Sequence, residues 1–145
     1  LDFAIYNERQ PHLCEAARHN FAVLSSAAHG DLPPCVDIQI REGLSTELPV
    51  PDVDVIYLDP ARRSHDGSRI YEISDCEPDV VSWQQELLAH CRQLIIKVSP
   101  MADVTRTLSR LENVTDVHVV SVKGECKELL IVQQPSRQPA ACVTA

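Results

Sequence analysis

The order of the apolar segments is the feature that most constrains the fold of this chain. Segments with a strand pattern alternate with segments such as Pro11 to Leu24, in which apolar residues recur at helical spacing. The resulting order is β-α-β-loop-β-α-β-α-β-β. Strands that alternate with helices form parallel sheets with helices on both faces. We therefore expect an α/β domain built on a mostly parallel sheet.

The sequence pattern also gives approximate bounds for each element. The predicted strands are Leu1–Glu8, Cys35–Gly43, Asp54–Asp59 and Gln93–Ser99, and the predicted helices are Pro11–Leu24, Val80–Arg92 and Met101–Leu111. The segment Asp54–Asp59 is apolar with little alternation, which is typical of a parallel strand covered on both faces. The polar segment from Arg62 to Asp79 predicts a long functional loop.

An antiparallel hairpin is predicted at the end of the sheet. VTDVHVVSV (Val114–Val122) and ECKELLIVQ (Glu125–Gln133) flank the turn signal Lys123-Gly124. A hairpin of this kind on a parallel sheet limits the possible folds more than the alternation of strands and helices does. We predict one α/β domain over residues 1–134, followed by a flexible tail over residues 135–145.

Composition excludes some classes of function. The formal net charge of -8 disfavours a globally basic nucleic-acid binder, although a local basic patch remains possible. No segment approaches the roughly 18 apolar residues of a membrane span, and no secretory signal is recognisable. The six cysteines match no zinc-binding spacing, so we expect reduced thiols, no metal site and a cytoplasmic location.

Five sequence stretches carry a resemblance to a known family. They are AIYNERQPHLCEAARHNF, IYLDPARRSHDG, ISDCEPDV, IIKVSPMAD and GECKELLIV, and together they span nearly the whole chain. With the order of elements, they resemble the class I S-adenosylmethionine-dependent methyltransferases. The DPARR and ECKELL motifs resemble more closely a bacterial methyltransferase-like family whose members carry a THUMP-like domain after the catalytic domain. The resemblance implies a Rossmann-like sheet, S-adenosyl-L-methionine as cofactor, and RNA as substrate.

The chain departs from this family pattern at its beginning. Class I methyltransferases start with a strand and a glycine-rich loop that approaches the methionine end of the cofactor, whereas the resemblance aligns Leu1 with the second strand. We therefore expect this chain to be part of a longer protein, to bind the cofactor weakly or not at all, and to be inactive alone. An uncovered sheet edge also predicts self-association.

The resemblance implies a set of cofactor-binding residues, namely Glu8, Arg9, Gly43, Leu44 and Asp59. Glu8 follows the first strand, where a carboxylate accepts hydrogen bonds from two ribose hydroxyls. The alternative for Glu8 is a solvated carboxylate at a strand end. Leu44 stands where methyltransferases often place an acidic residue against the adenine amino group, and it could instead pack on the adenine face.

The expected catalytic residues are Asp59, Pro60 and Arg62. They stand where amino-methyltransferases carry an Asp/Asn-Pro-Pro-aromatic motif. In that motif a side-chain oxygen and a backbone carbonyl accept hydrogens from the target amine, proline fixes the turn, and the aromatic ring stacks on the base. Ala61 and Arg62 replace the second proline and the aromatic residue. An arginine can stack on a base or bind a phosphate group.

Three basic residues are predicted to bind the substrate, namely Arg62, Arg63 and Lys97. The alternative for the two arginines is a solvated basic loop. Lys97 interrupts the apolar run LIIKVS at the carboxyl end of its strand. It is predicted either to line the substrate cleft or to form an ion pair with an acidic loop residue.

Two further polar segments have structural interpretations. Asp79 precedes a helical pattern and predicts an N-cap. Glu125, Lys127 and Glu128 belong to the family-like ECKEL motif, and their alternating charge is typical of a solvent-facing surface.

The residues together favour part of an S-adenosylmethionine-dependent methyltransferase that acts on RNA by direct displacement of the methyl group. Two alternatives remain open. One is a non-catalytic methyltransferase-like module that binds RNA or protein, which Ala61-Arg62 in place of proline and an aromatic residue would suit. The other is a different nucleotide-binding α/β enzyme, although no second motif supports it.

Overall fold

The structure is a computed structural model that describes residues 3–27, 37–62 and 72–136. The chain divides into two compact units, Leu1–Pro49 and Val50–Ala145. Both units combine helices and strands, as the α/β pattern of the sequence predicts. No helix in the described ranges is long and apolar enough to cross a membrane.

The described residues of the first unit form two parallel strands and one helix. Strand β1 (Phe3–Glu8) pairs with β2 (Asp37–Glu42) so that Glu8 lies opposite Glu42. Helix α1 (Pro11–Ala27) begins at a proline, whose fixed φ suits the first helical position. The ring of Tyr6 on β1 contacts Phe21 of α1 edge-to-face, with 5.9 Å between ring centroids. This packing holds the helix against the strand that delivers Glu8.

The second unit is organised around a mixed four-stranded sheet. The strands lie in the order β3 (Val53–Leu58), β6 (Cys91–Val98), β8 (Glu125–Gln133) and β7 (Val114–Val122). The β3–β6 pair is parallel, whereas β6–β8 and β8–β7 are antiparallel. The carboxyl ends of β3 and β6 therefore lie beside the beginning of β8.

The predicted hairpin is confirmed, with both strands at their predicted bounds. Lys123 and Gly124 connect the strands, and both have positive φ angles, of 54° and 81°. Positive φ at both central residues matches the right-handed twist of the flanking strands.

The core of the second unit lies on one face of its sheet. Leu94, Ile96 and Val98 alternate along β6 and are buried with Leu87 and Leu88 of helix α2 (Val80–Ala89). Because successive side chains on a strand point to opposite faces, Lys97 projects from the other face. The alternation of buried residues along β6 therefore determines the face of the sheet from which the Lys97 side chain projects.

The N-cap of α2 is confirmed. The Asp79 carboxylate accepts hydrogen bonds from the backbone amides of Val81 at 3.0 Å and Ser82 at 3.4 Å. We predict that Asp79→Ala lowers the free energy of unfolding by about 1 kcal/mol, because it leaves helix amides unsatisfied. Urea denaturation measures this loss. Asp79→Ser, which keeps a capping oxygen, serves as the control, and equal stability of the alanine and serine variants would refute the capping role.

Two helices are shorter than predicted. The helix expected over Val80–Arg92 ends at Ala89, because Cys91 already begins β6 and is buried there. The amide of Val53 donates to the carbonyl of His90, which starts the pairing between β3 and β6.

The helix expected over Met101–Leu111 occupies only Val104–Leu108, which is α3. The amide of Met101 donates to the Ser99 hydroxyl in a turn. Asp103 then caps α3 by accepting a hydrogen bond from the amide of Arg106 at 3.0 Å. Pro100 therefore precedes a turn and does not open the helix.

Two further predictions about the middle of the chain need correction. The strand predicted over Asp54–Asp59 is covered on one face only, since Val55 and Tyr57 are 49% and 56% exposed. The segment predicted as an irregular loop contains strand β4 (Ala61–Arg62), which pairs antiparallel with β5 (Cys76–Glu77). A short 3-10 helix, Ile73–Asp75, precedes β5.

Candidate active site

A cavity of about 180 Å³ opens at the carboxyl ends of β3 and β6 in the second unit. Its charged lining comprises Asp59, Lys97, Lys127 and Glu128, and Pro60 also contributes. Carboxyl ends of parallel strands are where α/β proteins bind their ligands.

An ion pair joins two of the predicted site residues. Lys97 Nζ lies 2.7 Å from Asp59 Oδ2. The two residues meet because Leu58 of β3 lies opposite Ile96 of β6, so the next residue of each strand is also adjacent. The two alternatives for Lys97 are therefore compatible, since it forms an ion pair and lines the cavity.

The environment of Lys97 keeps its ammonium group charged. The hydrogen bond to Asp59 raises the pKa of Lys97 above its ordinary value, against the opposing effect of burial. The side chain is 33% exposed. Lys97 is therefore a permanent cation throughout the neutral range of pH.

Glu128 lines the cavity, whereas the sequence predicted that it lies on a solvent-facing surface. Its side chain is only 33% exposed, and its Oε2 atom lies 4.0 Å from Lys97 Nζ. The antiparallel pairing of Lys97 with Leu130 brings the beginning of β8 to the end of β6. The predicted solvent exposure is right for Glu125, which is 74% exposed and pairs with Lys127 at 2.7 Å.

Tyr57 is a second residue near the site that sequence reasoning missed. Burial raises the pKa of the Tyr57 hydroxyl, Lys97 lowers it, and the negative charges of Asp59 and Glu128 raise it further. Tyr57 lies opposite Ile95 of β6, two residues before Lys97, so both side chains project from the same face of the sheet. The available signal was spacing, because Tyr57 and Asp59 are two residues apart and share one face of the chain.

The predicted arginines are only partly described. The backbone of Arg62 belongs to β4 and lies opposite Cys76 of β5. The side chain of Arg62 and the whole of Arg63 lie outside the described residues. Their catalytic and substrate-binding roles stay predictions.

The carboxyl ends of β1 and β2 in the first unit hold the predicted cofactor residues. The amide of Gly43 donates to the carbonyl of Glu8 at 3.0 Å. Asn7 Nδ2 donates to the carbonyls of Arg41 at 3.1 Å and Gly43 at 2.9 Å. Gly43 has a φ of 137°, a conformation that L side chains rarely adopt. A glycine is therefore needed where the chain turns after β2.

The side chains at this end fit part of a nucleoside cofactor. Glu8 Oε1 accepts a hydrogen bond from the amide of Gln10 at 2.9 Å, and Oε2 has no partner among the described residues. A carboxylate with a remaining oxygen suits a ribose hydroxyl. Leu44 is half-buried and Arg9 is exposed beside Glu8. Apart from Gly43, the sequence has three isolated glycines, so it offers no glycine-rich loop for the methionine end.

A comparison with solved structures found a similar protein. A crystal structure of a "putative methyltransferase" from Porphyromonas gingivalis W83 is 39% identical to this chain in sequence, with a TM-score of 0.76. The similarity covers 92% of this chain and 31% of that protein. The chain shares the fold of that part of the protein. No family model and no curated protein matches the sequence.

Within the described residues, no group of three or more histidine, cysteine, aspartate or glutamate side chains is arranged to hold a metal ion.

Proposed function

We propose that this chain is part of a class I, Rossmann-like methyltransferase domain that uses S-adenosyl-L-methionine. The observation that supports this most strongly is the 39% identity, over 92% of the chain, to the Porphyromonas gingivalis structure. The cavity at Asp59 and Lys97 provides a place for the methyl acceptor. The chain spans only 31% of that protein, so methyltransferase activity is proposed for this chain and does not follow from the similarity alone.

Asp59 is proposed to orient the acceptor. Lys97 engages its Oδ2 atom, and Oδ1 has no partner among the described residues. Oδ1 can therefore accept a hydrogen bond from an acceptor N–H, and this bond directs the nitrogen lone pair. Pro60 restricts the backbone of the turn that carries Asp59.

Glu8, Gly43 and Leu44 would hold the nucleoside part of S-adenosylmethionine, and the bound cofactor would supply an electrophilic methyl group to the acceptor nitrogen and keep the electron pair of the broken C–S bond on sulfur. The acceptor then releases its N–H proton to solvent. The chain itself contributes positioning and electrostatics, through Asp59 and the charged groups around it. Among these groups, Lys97 offsets the negative charge of Asp59.

In the first unit, Glu8 is proposed to accept hydrogen bonds from the ribose hydroxyls. Gly43, Leu44 and Arg9 are proposed to contact the nucleoside, with Leu44 against the adenine face. Asp59 stays a proposed cofactor contact as well. Without a glycine-rich loop in this sequence, we expect weak binding of the cofactor by the chain alone.

RNA is the proposed substrate, and this part rests on the resemblance to a family with a THUMP-like domain. The net charge of -8 means that contacts to phosphate need local basic groups. Lys97 and Lys127 line the cavity, and Arg62 and Arg63 follow Asp59 in sequence. A cytoplasmic location, a THUMP-like domain in the longer protein and self-association through a sheet edge are parts of the same proposal.

A second candidate function is a non-catalytic methyltransferase-like module that binds RNA or protein. The feature that favours it is Ala61-Arg62, which stands in place of a proline and an aromatic stacking residue. In that case Asp59 and Lys97 would only stabilise the turn.

Transfer of a labelled methyl group distinguishes the two functions. The chain, and a longer protein that contains it, are incubated with methyl-labelled S-adenosylmethionine at millimolar concentration and with total cellular RNA. With the longer protein we expect label in RNA that nuclease treatment releases, and with the chain alone we expect none. Cofactor binding without any transfer to RNA would support the non-catalytic module, and transfer to protein instead of RNA would reject the substrate.

A further inference from the structure

The ammonium group of Lys97 lies between two carboxylates that come from different strands. Its Nζ atom is 2.7 Å from Asp59 Oδ2, just after β3, and 4.0 Å from Glu128 Oε2, on β8. An ammonium group has three donors on a flexible stem of four carbons. A small rotation about the terminal bonds of Lys97 therefore exchanges one carboxylate for the other.

The observed pairing limits what Asp59 can do for a substrate. Its Oδ2 atom is engaged by Lys97, so an acceptor N–H has a single oxygen available. If Lys97 released Oδ2, both oxygens of the carboxylate would be open to an acceptor that carries two N–H groups. Lys97 must then find another anion, because a cation left unpaired in a partly buried cavity is unfavourable.

Glu128 is suited to receive Lys97. Its side chain is as little exposed as that of Lys97, at 33% each, and it lines the same cavity. The neighbouring cation Lys127 already has Glu125 as a partner at 2.7 Å. Lys97 is therefore a cation that a small movement can bring into contact with Glu128.

We propose that Glu128 is a positioning residue that draws Lys97 away from Asp59 when a methyl acceptor enters the cavity. The proposal rests on the proposed function for the identity of the acceptor. With Lys97 on Glu128, both oxygens of Asp59 face the acceptor, and the cavity keeps its balance of charge. Glu128 acts through Lys97 and does not contact the reacting atoms.

This exchange also selects the chemical class of the acceptor. A protonated amine would compete with Lys97 for the two carboxylates and would place a second cation beside it. A neutral N–H group, such as the exocyclic amino group of a nucleobase, binds Asp59 without adding charge. The site therefore favours neutral nitrogen acceptors over protonated alkylamines.

A crystal structure of the Asp59→Ala variant tests the exchange without any methyl transfer. With no acceptor atom at position 59, we expect the separation of Lys97 Nζ and Glu128 Oε2 to fall from 4.0 Å to below about 3.2 Å, the range of a hydrogen bond. If Asp59→Ala does not fold, Asp59→Val, which also lacks a side-chain acceptor, replaces it. A Lys97 side chain that turns to solvent, or stays 4 Å or more from Glu128, would overturn the proposal.

Kinetics of matched hairpin variants test the positioning role. We expect Glu128→Gln to lower kcat about tenfold with little change in KM for RNA, because a charged hydrogen bond contributes to orientation. Glu128→Asp should restore part of the rate, and Asp116→Asn, which changes an exposed carboxylate on β7 of the same hairpin, should leave the rate unchanged. Equal effects of Glu128→Gln and Asp116→Asn would overturn the positioning role. Absence of transfer in the native protein would reject the proposed function, and the crystallographic result would then decide the exchange.

Discussion

Asp59→Ala is expected to lower methyl transfer at least a hundredfold, because it removes the oxygen that orients the acceptor nitrogen. Stability should change by less than about 1 kcal/mol, since the ion pair with Lys97 is partly exposed and such pairs contribute little. The initial rate of labelled methyl transfer is measured at saturating cofactor. Urea denaturation of the same preparations measures the free energy of unfolding.

Two further variants show whether the loss of methyl transfer depends on a side-chain oxygen at position 59. Asp59→Asn keeps an acceptor oxygen, so we expect its rate to stay within about tenfold of the native rate. Asp54→Ala removes an exposed carboxylate from the same strand, paired with Arg92 at 3.3 Å, and should leave the rate unchanged. A native rate in Asp59→Ala would contradict the proposed role.

Glu8→Gln is expected to weaken binding of S-adenosylhomocysteine, the demethylated product, by about tenfold or more. The reason is that a hydrogen bond to a charged partner contributes roughly 1.5–3 kcal/mol, and the amide accepts less strongly than the carboxylate. The folded structure should be preserved, because the backbone carbonyl of Glu8 still accepts from the amide of Gly43. Titration followed by NMR measures the dissociation constant even when binding is weak.

The control for this variant is Glu15→Gln, which removes an exposed carboxylate from helix α1 in the same unit. It should bind S-adenosylhomocysteine as the native chain does. Equal weakening in both variants would mean that net charge, and not the position of Glu8, determines affinity.

The elements that the sequence predicted best are those with local signals. Lys123-Gly124 between two alternating strands defines the hairpin, and both of its strands have the predicted bounds. Pro11 marks the beginning of α1, and Asp79 marks the beginning of α2. In each case a few adjacent residues contain the physical cause of the boundary.

The errors lie where pairing between distant segments decides the structure. Cys91 continues a helical pattern, yet its pairing with Val53 makes it the first residue of β6. Strands of two residues, such as Ala61–Arg62, are too short to show any periodicity. The exposed face of Val55 could not be anticipated either, because burial depends on what covers the sheet.

The residues around the cavity also divide into those that local sequence signals predicted and those that pairing between distant strands determines. The sequence placed Asp59 and Lys97 at the carboxyl ends of two strands of a parallel sheet. The 2.7 Å ion pair between them agrees with that placement. The sequence did not predict Glu128, because only the register of β8 against β6 brings that residue to the cavity. Register between strands distant in sequence follows from packing of the whole sheet and leaves no local signal.

Titration of the 145-residue chain with S-adenosylhomocysteine, followed by residue-resolved NMR, tests the central claim most directly. We predict a dissociation constant in the millimolar range, with the largest shifts at Glu8, Gly43 and Leu44. Shifts at Gly43 and Leu44 should shrink several-fold in Glu8→Gln at the same ligand concentration. The absence of any shift at these three residues with several millimolar ligand, or shifts confined to other residues, would contradict the claim.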